Sequence, residues 1–313
     1  MSITEAQGYT KTDRRGALAV ALGSAVWGLF WLPLRSLDEH GVNGLWAIAL
    51  IMGAAALPAL ILVWQQRESV EFRSSTPWLV GFALGTSSVL YFIGLLYSDV
   101  VRVIFLFYLL PVWTTFAARI IYGEPIKRQK LFVIAIALSG LWLLLGGGTE
   151  LPLPKNIGDW CGIGSGLFWG VSLALLRNRE TSGAFASTAA ALSAACLVAA
   201  GLAIAFNAIA VFGQGSLLPD SMTIAYLTPE PDVVLTAIPL ALLFGCIVML
   251  PSMLGQIWGA RRIPAPTAAL LTMTEIIVAT LSAYFLIGTE LGTLAFLGGA
   301  LIVLAVVIDL KLN

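Results

Sequence analysis

Glu275 is the only acidic residue near the centre of a long apolar stretch in this sequence. Inside a bilayer or a protein core, an ionised carboxyl group is costly unless it faces a polar cavity. Glu275 could therefore hold an organic ammonium group, or it could exchange protons with one side of a membrane. It could instead be protonated and hydrogen-bonded to a neighbouring helix, with Thr272 or Thr274 as the partner. Glu275 is our first candidate for function, and both interpretations remain open at this point.

Aromatic residues at helical spacing form a second candidate group. Trp27 and Trp31 are four residues apart and would project from one face of a helix, and Trp169 occurs in a similar sequence context later in the chain. Their rings could wall a pocket, because ring stacking contributes about 0.5 to 1.5 kcal/mol beyond burial and ring faces attract cations. Ordinary packing or lipid contact is the alternative for each ring. The same candidate lining also includes Tyr91, Tyr97, Phe105, Tyr108, Trp113, Gln256 and Trp258.

Other chemistries lack the residues that they need. The only histidine, His40, lies in a polar connection, where a solvated side chain is the simplest interpretation. The cysteines Cys161, Cys196 and Cys246 lack the spacing of a metal or redox motif. The Gly-Ser-Gly sequence around Ser165 has no histidine base, and neither an HExxH nor a nucleotide-binding GxxxxGK[ST] motif occurs. We therefore expect no enzyme, no ATPase activity, no metal and no cofactor.

Membrane helices must position these candidate groups. The chain has 313 residues, of which 59% are apolar and 11% charged, and its net charge of zero gives no basis for nucleic-acid binding. Runs of about twenty uncharged residues can each cross a hydrocarbon layer about 30 Å thick. The first run is too long for a signal-peptide core and lacks a cleavage motif. The runs predict an all-α integral membrane protein with ten transmembrane helices, near 16–36, 43–64, 77–97, 100–121, 129–147, 157–178, 184–208, 233–257, 264–287 and 292–311.

The basic residues are distributed unevenly between the two predicted faces. With the amino terminus in the cytoplasm, fourteen of the 17 Lys and Arg residues lie on the cytoplasmic side. Only Arg35, Arg102 and Lys155 lie on the other side. Cytoplasmic connections of membrane proteins carry an excess of Lys and Arg. We therefore expect both termini in the cytoplasm.

One sequence motif recurs in the two halves of the chain. The first predicted span reads AVWGLFWLPLR and the sixth reads LFWGVSLALLR. Trp27 thus matches Trp169, and Arg35 matches Arg177, at a constant offset of 142 in the numbering. Five spans separate the matched helices, and because five is odd they cross the membrane in opposite directions. Such inverted repeats are typical of secondary transporters, in which two equivalent halves rock around a central site.

A second motif locates an insertion. The fourth span ends in RIIYGEP and the ninth in YFLIGTEL, which pairs Glu124 with Glu290 at an offset of 166. A Gly, Pro and polar segment near 209–232 has the size to account for the larger offset. The expected organisation is a cytoplasmic tail at 1–15, a first five-helix repeat at 16–147, a connection at 148–156, and a second five-helix repeat at 157–311 that carries this extracytoplasmic insertion.

These features resemble the drug/metabolite transporter (DMT) superfamily with two EamA-type units. The resemblance rests on ten helices, on a Trp-Gly pair in the first helix of each half, and on a glycine and glutamate closing the fourth helix of each half. It covers nearly the whole chain. Within the superfamily, the length, the tryptophan content and the insertion most resemble bacterial aromatic amino acid exporters of the YddG type.

The resemblance implies a secondary transporter in the bacterial cytoplasmic membrane. It would export small amphipathic metabolites, such as aromatic and other neutral amino acids, by alternating access around a midplane cavity. Its expected partners are a small-molecule substrate and the lipid bilayer, without nucleic acid or an ATPase subunit, and a monomer is compatible with the sequence. A drug or nucleoside carrier of the same fold is one alternative, and a channel-like facilitator is another.

Prolines and glycines indicate how the helices bend and pack. Pro111 and Pro251 fall inside predicted spans, where each removes a backbone hydrogen bond and can kink the helix. The second half has no proline near Ile277 that would correspond to Pro111, so we do not assume matching hinges in the fourth and ninth helices. Small-xxx-small spacing, which lets helices approach closely, occurs at Gly81 and Gly85 and at Gly162, Gly166 and Gly170.

Accessibility tags test the predicted orientation. A tag at either terminus should react with an impermeant reagent only after the membrane of intact cells is permeabilised, because both termini are expected in the cytoplasm. A tag in the connection at 148–156 is the control and should react in intact cells, since five spans precede it. Reaction of only one terminus in intact cells would contradict an even number of spans.

Overall fold

The chain folds into a bundle of helices. The computed structural model describes residues 13–66, 75–148, 152–177, 183–212 and 228–312, and these contain no strand. Ten helical spans, some of them interrupted, follow in chain order: Arg14–Glu39, Gly44–Gln66, Thr76–Tyr97, Val100–Tyr122, Arg128–Leu144, Ile157–Leu175, Ala184–Phe212, Pro231–Ala260, Ala265–Ile287 and Thr293–Leu312.

Eight of these spans are long and apolar enough to cross a membrane by themselves. The fifth, Arg128–Leu144, has only 17 residues, and the sixth, Ile157–Leu175, carries Asp159 together with several glycines and serines. Both pack along other spans: the fifth lies on the tenth, and the sixth lies on the third and fourth. The sixth can be less apolar because its neighbours cover much of its surface.

The two halves of the bundle make the same contacts. The third span packs on the sixth, and the eighth packs on the first in the same way. In the first pair the Ser87 hydroxyl donates to the Ser165 carbonyl over 2.8 Å, and in the second the Ser252 hydroxyl donates to the Gly23 carbonyl over 2.8 Å. The two donors are related by an offset of 165 and the two acceptors by 142, as expected for matched spans. The predicted fold, ten helices in two inverted five-helix repeats, is confirmed.

Glycines end the fourth and ninth spans in equivalent geometry. Gly123 and Gly288 cap these spans with φ of 68° and 70°, a left-handed conformation that favours glycine. The offset between the two glycines is 165, one less than the offset of 166 between Glu124 and Glu290, because a threonine separates glycine from glutamate in the second half. The expected tail at 1–15 and the insertion near 209–232 lie largely outside the described residues.

Prolines interrupt the first and fourth spans near the middle of the bundle. Pro33 has no N–H to offer to the Leu29 carbonyl, and the first span tightens into turns at 28–30. The fourth span is interrupted at Tyr108 and resumes in the turn that contains Pro111. A proline ring also clashes with the carbonyl four residues earlier, which explains why both interruptions precede a proline.

The ninth span is interrupted at Met273 without a proline. The Thr274 hydroxyl lies within hydrogen-bonding distance of the Leu271 carbonyl, at 2.9 Å, and of the Ala21 carbonyl in the first span, at 3.0 Å. Met273 and Tyr108 are also related by the offset of 165, so the two interruptions match. Matching breaks in the fourth and ninth helices were not assumed, because only the fourth carries a proline there, but the structure has a break in both. A side-chain hydroxyl accompanies the break in the ninth span, as a proline accompanies that in the fourth.

The eighth span contains a wider turn. Leu243–Met249 is π-helical, and the following segment, Leu250–Ala260, carries Pro251 in its first turn. A π-helical turn is a common site of a bend in a longer helix. Pro251 therefore lies at an irregular part of the backbone, in the position that sequence analysis gave for a kink.

Glycines bring helix backbones into direct contact. A Cβ built on Gly81 would lie 2.3 Å from the Ala190 Cβ in the seventh span. At the crossing of the fifth and tenth spans, a Cβ built on Gly298 would lie 2.2 Å from the Leu144 amide nitrogen. Larger residues at these positions would force the helices apart, so the small side chains set the distance between spans.

Asp159 fixes the start of the sixth span to the connection between the third and fourth. Its carboxylate is fully buried and accepts hydrogen bonds from Arg102 Nη1 over 3.0 Å, from the Lys155 backbone amide over 2.7 Å and from the Ser98 hydroxyl. A buried charge is tolerated when it is paired and fully hydrogen-bonded. This cluster therefore marks a structural anchor at one face of the bundle.

The crossing of the fifth and tenth spans yields a stability test. Gly298→Val should lower the free energy of unfolding by about 1 to 3 kcal/mol, the usual cost of overpacking. Gly299→Val is the matched control, because the nearest atom to a Cβ built there is Leu144 Cδ1 at 3.8 Å. Thermal unfolding of the purified variants in detergent measures the difference. Equal unfolding temperatures for the two variants would contradict the importance of this contact.

Candidate functional site

A cavity of about 480 Å³ lies between the first, second, third, fourth and ninth spans. Its mouth is bordered by Arg35, Asn43 and Val100, at the face that carries the connections 40–43 and 98–99. Its inner end reaches Glu275, where the spans are interrupted. The described lining residues lie between the face that carries these connections and the level at which the first, fourth and ninth spans are interrupted. The cavity therefore opens toward one side of the bundle.

Glu275 lies at the inner end of this cavity, in the first turn of Thr274–Ile287. Its side chain is half-buried because it borders open space. The Thr272 hydroxyl donates to the Ala268 carbonyl over 2.9 Å, and the Thr274 hydroxyl is engaged with backbone carbonyls of the first and ninth spans. Neither threonine bonds to the Glu275 carboxyl group, although the sequence had suggested both as partners. The carboxyl group faces the cavity instead.

Tyr108 is a polar neighbour of Glu275. Its side chain is 1% exposed and borders the cavity, and its hydroxyl is near enough to the Glu275 carboxyl for the two groups to interact electrostatically. The hydroxyl is within reach of the Glu275 carboxyl and of the Ile276 backbone, although no described residue bonds to it with good geometry. A buried hydroxyl of this kind can bond to a solute or to water.

Trp27, Trp31 and Tyr91 belong to the aromatic part of the wall, together with Phe30, Phe92 and Tyr108. The Trp31 indole N–H donates to the Ser282 hydroxyl over 3.1 Å, which holds this ring against the ninth span. The Tyr91 ring centre lies 4.8 Å from that of Phe107. The indole N–H of Trp27 is buried and has no hydrogen-bond partner within the described ranges. The sequence candidates Glu275, Trp27, Trp31, Tyr91 and Tyr108 thus come together at one cavity.

Trp169 lies behind the inner end of the cavity. Its ring meets Trp27 edge-on, with ring centres 6.0 Å apart, and lies 6.3 Å from the Phe107 ring. The side chain is only 6% exposed. The symmetry counterpart of a cavity-lining tryptophan is therefore packed inside the protein, on the side where the cavity is closed.

Five other candidates lie away from this cavity: Tyr97, Phe105, Trp113, Gln256 and Trp258. Phe105 packs on Trp142 with ring centres 5.7 Å apart and borders a smaller hollow beside the fifth span. Trp258 lies near the face of the bundle opposite the cavity mouth, where the Arg262 guanidinium stacks 3.6 Å from the centre of the Trp258 ring. The sequence could not place these side chains, because a single residue does not reveal which side of a buried helix it occupies.

Several lining residues were missed from sequence although a signal was present. Val100, Ile104 and Tyr108 follow one helical face at four-residue spacing, and Tyr91 and Leu95 do the same on the third span. Residues four apart on a helix share a face. Extending each tyrosine candidate by one turn would have identified Ile104 and Leu95.

Among the described residues, three charged side chains border the cavity: Glu275 at the inner end, and Arg35 and Asp38 at the mouth. Arg35 Nε pairs with Glu39 Oε1 at 3.3 Å in an exposed contact. No basic side chain borders the inner end in the part of the chain that the structure describes. The carboxyl group and the surrounding ring faces therefore favour the positive end of a bound solute.

Ion pairs join the helix ends at the opposite face. Arg177 pairs with Glu124, and its guanidinium lies 5.7 Å from the Tyr122 ring centre. Arg262 Nε lies 3.7 Å from the Asp13 carboxylate. The first contact connects the ends of the fourth and sixth spans, and the second connects the first and eighth. These contacts hold the helix ends together at the face away from the cavity.

Comparison with known proteins points to a membrane transporter. Residues 14–146 match the model of the EamA-like transporter family, which covers the expected first repeat. A solved structure described as "Crystal structure of protein" is similar over 96% of this chain and 98% of its own chain, with a TM-score of 0.69 and 16% sequence identity, which shows a shared fold. No curated protein matches the chain. The apolar helices indicate a multi-pass membrane protein, and the family match, which is to transporters, agrees with this.

A cysteine in the cavity should react with water-soluble reagents. In a variant without the three native cysteines, Ala279→Cys should be labelled by an impermeant thiol reagent from the face that carries Arg35, because thiolate formation requires water. Leu281→Cys, on the apolar outer surface of the same span, is the matched control and should react about tenfold more slowly. Mass spectrometry measures both rates. Equal rates would contradict an open, water-filled cavity.

Proposed function

We propose that the chain is a secondary transporter that moves small amphipathic solutes by alternating access around the cavity at Glu275. The cavity carries the proposal, because it opens on one face of an inverted repeat and ends near the middle of the bundle at a carboxyl group. Two equivalent halves can exchange conformations, so that a central site faces first one compartment and then the other. The similarity of residues 14–146 to EamA-like transporters supports the same class.

The lining favours a solute with a positive group at one end and an apolar or aromatic body. Glu275 would hold the ammonium group, and Trp27, Trp31 and Tyr91 would contact the body. The cavity volume of about 480 Å³ falls within the usual range for small-molecule sites. Aromatic and other neutral amino acids carry such an ammonium group and body, and their carboxylate would accept from the Trp27 N–H and the Tyr108 hydroxyl. Their export across a bacterial cytoplasmic membrane, by a protein with both termini inside, is the specific form of the proposal.

Counterflow by the purified protein in liposomes tests this function. Liposomes loaded with unlabelled solute are exposed to labelled aromatic amino acids, nucleosides or sugars, and uptake is followed over time. Saturable uptake of an aromatic amino acid that depends on internal solute is the expected result. Unsaturable flux with single-channel currents would overturn the carrier mechanism in favour of a facilitator. Movement of another solute class alone would overturn the amino acid proposal.

The role of Glu275 is tested in the same assay. Glu275→Gln should raise the KM for a solute with an ammonium group about tenfold or more, because a hydrogen bond to a charged group contributes about 1.5 to 3 kcal/mol. Glu230→Gln is the matched control, since this exposed carboxyl group precedes Pro231–Leu242 and does not border the cavity. An unchanged KM in Glu275→Gln would show that the carboxyl group does not contact the solute.

A further inference from the structure

The ion pair at the closed face has a counterpart in sequence at the open face. Arg177 follows the sixth span and pairs with Glu124, which follows the capping glycine of the fourth span. Arg35 is the counterpart of Arg177 in the first span, at the repeat offset of 142. The ninth span ends in the same left-handed glycine cap, Gly288, and its first acidic residue beyond the cap is Glu290.

The counterpart residues are not paired with each other in this structure. Arg35 borders the cavity mouth and pairs with Glu39, one turn further along its own helix, where the two side chains are 60% and 64% exposed. Glu290 is exposed and makes no ion pair with any described residue. The first and ninth spans both border the cavity. The ends of these two spans therefore carry opposite charges at the face that is open.

We propose that Arg35 and Glu290 form the ion pair that closes this face when the transporter changes state, while Arg177 and Glu124 separate. The inference rests on the proposed alternating-access function. In an inverted repeat, the second state exchanges the conformations of the two halves. A contact between the sixth and fourth spans in one state is then made by the first and ninth spans in the other. Arg35 exchanges Glu39 for Glu290 in this step.

Neither pair is fully buried, which suits a contact that must break in every cycle: Arg35–Glu39 is exposed, and Arg177–Glu124 is partly buried, with side chains 24% and 27% exposed. An exposed ion pair contributes about 0 to 1 kcal/mol, so its loss does not trap the protein in one state. Arg35 keeps an acidic partner in both states. Arg102, at the same face, is held by the fully buried Asp159 at 3.0 Å and is therefore not a competing partner for Glu290.

Cysteine cross-linking tests the contact without measuring transport. In the full chain without its native cysteines, Arg35→Cys is combined with Glu290→Cys, and the cross-link yield is measured with and without Arg177→Ala. Loss of Arg177 removes its ion pair with Glu124 and so weakens closure of the face away from the cavity. The state in which Arg35 meets Glu290 becomes more populated, and the cross-link yield should rise by up to about fivefold. The control pair, Glu39→Cys with Glu290→Cys, should gain less. No gain for the first pair, or an equal gain for the control pair, would overturn the proposal.

Charge reversal tests the same contact in function. Arg35→Glu should slow counterflow up to about fivefold, and adding Glu290→Arg should restore the rate to within about twofold of the wild type. Rescue by Glu39→Arg instead would assign Arg35 to its present partner alone and overturn the proposal. A wild-type protein that moves no solute would refute the proposed function, whereas the cross-link yield would still report whether the two residues meet.

Discussion

Close contact between helix backbones is the constraint on which this bundle depends. In lipid there is little hydrophobic force between helices, so small residues must let them approach until packing and polar contacts hold them. A Cβ built on Gly28 would lie only 2.4 Å from the Glu275 carbonyl oxygen. This approach of the first span to the interrupted ninth span is what brings the carboxyl group beside Trp27 and into the cavity.

The frame is symmetric, whereas the cavity chemistry is not. Gly28 packs against the Glu275 carbonyl, and its counterpart Gly170 packs against the Leu110 carbonyl. A Cβ built on Gly170 would lie 3.1 Å from the Leu110 carbonyl oxygen. Leu110 is therefore the counterpart of Glu275, and the repeat supplies one carboxyl group near its centre. A second charge at this depth would add another desolvation cost without adding a second site. In the proposed transport mechanism, the symmetric frame accounts for movement, and this unmatched carboxyl group accounts for recognition.

Burial separates the ion pairs of this protein into two kinds. In the pairs Arg102–Asp159 and Lys130–Asp309 the acidic side chains are 0% and 1% exposed, and a buried pair is strongly destabilised when one partner is lost. In Arg177–Glu124 and Arg35–Glu39 the acidic side chains are 27% and 64% exposed. An ion pair becomes weaker as its exposure to solvent increases. The two buried pairs thus anchor helix ends, and in the proposed change of state the partly buried and the exposed pair are the ones that separate.

The sequence alone predicted the ten helices, the inverted repeat and a carboxyl group, Glu275, near the middle of a span. It could do so because a membrane span is recognised by its apolar length, and a charged residue within it stands out. The tertiary structure decided which rings meet that carboxyl group. Trp31 and Phe105 look alike in sequence, but only packing turns the first toward the cavity and the second toward Trp142. It also revealed the break at Met273, since the stabilising hydroxyl contact reaches across to another helix and leaves no local sequence signal.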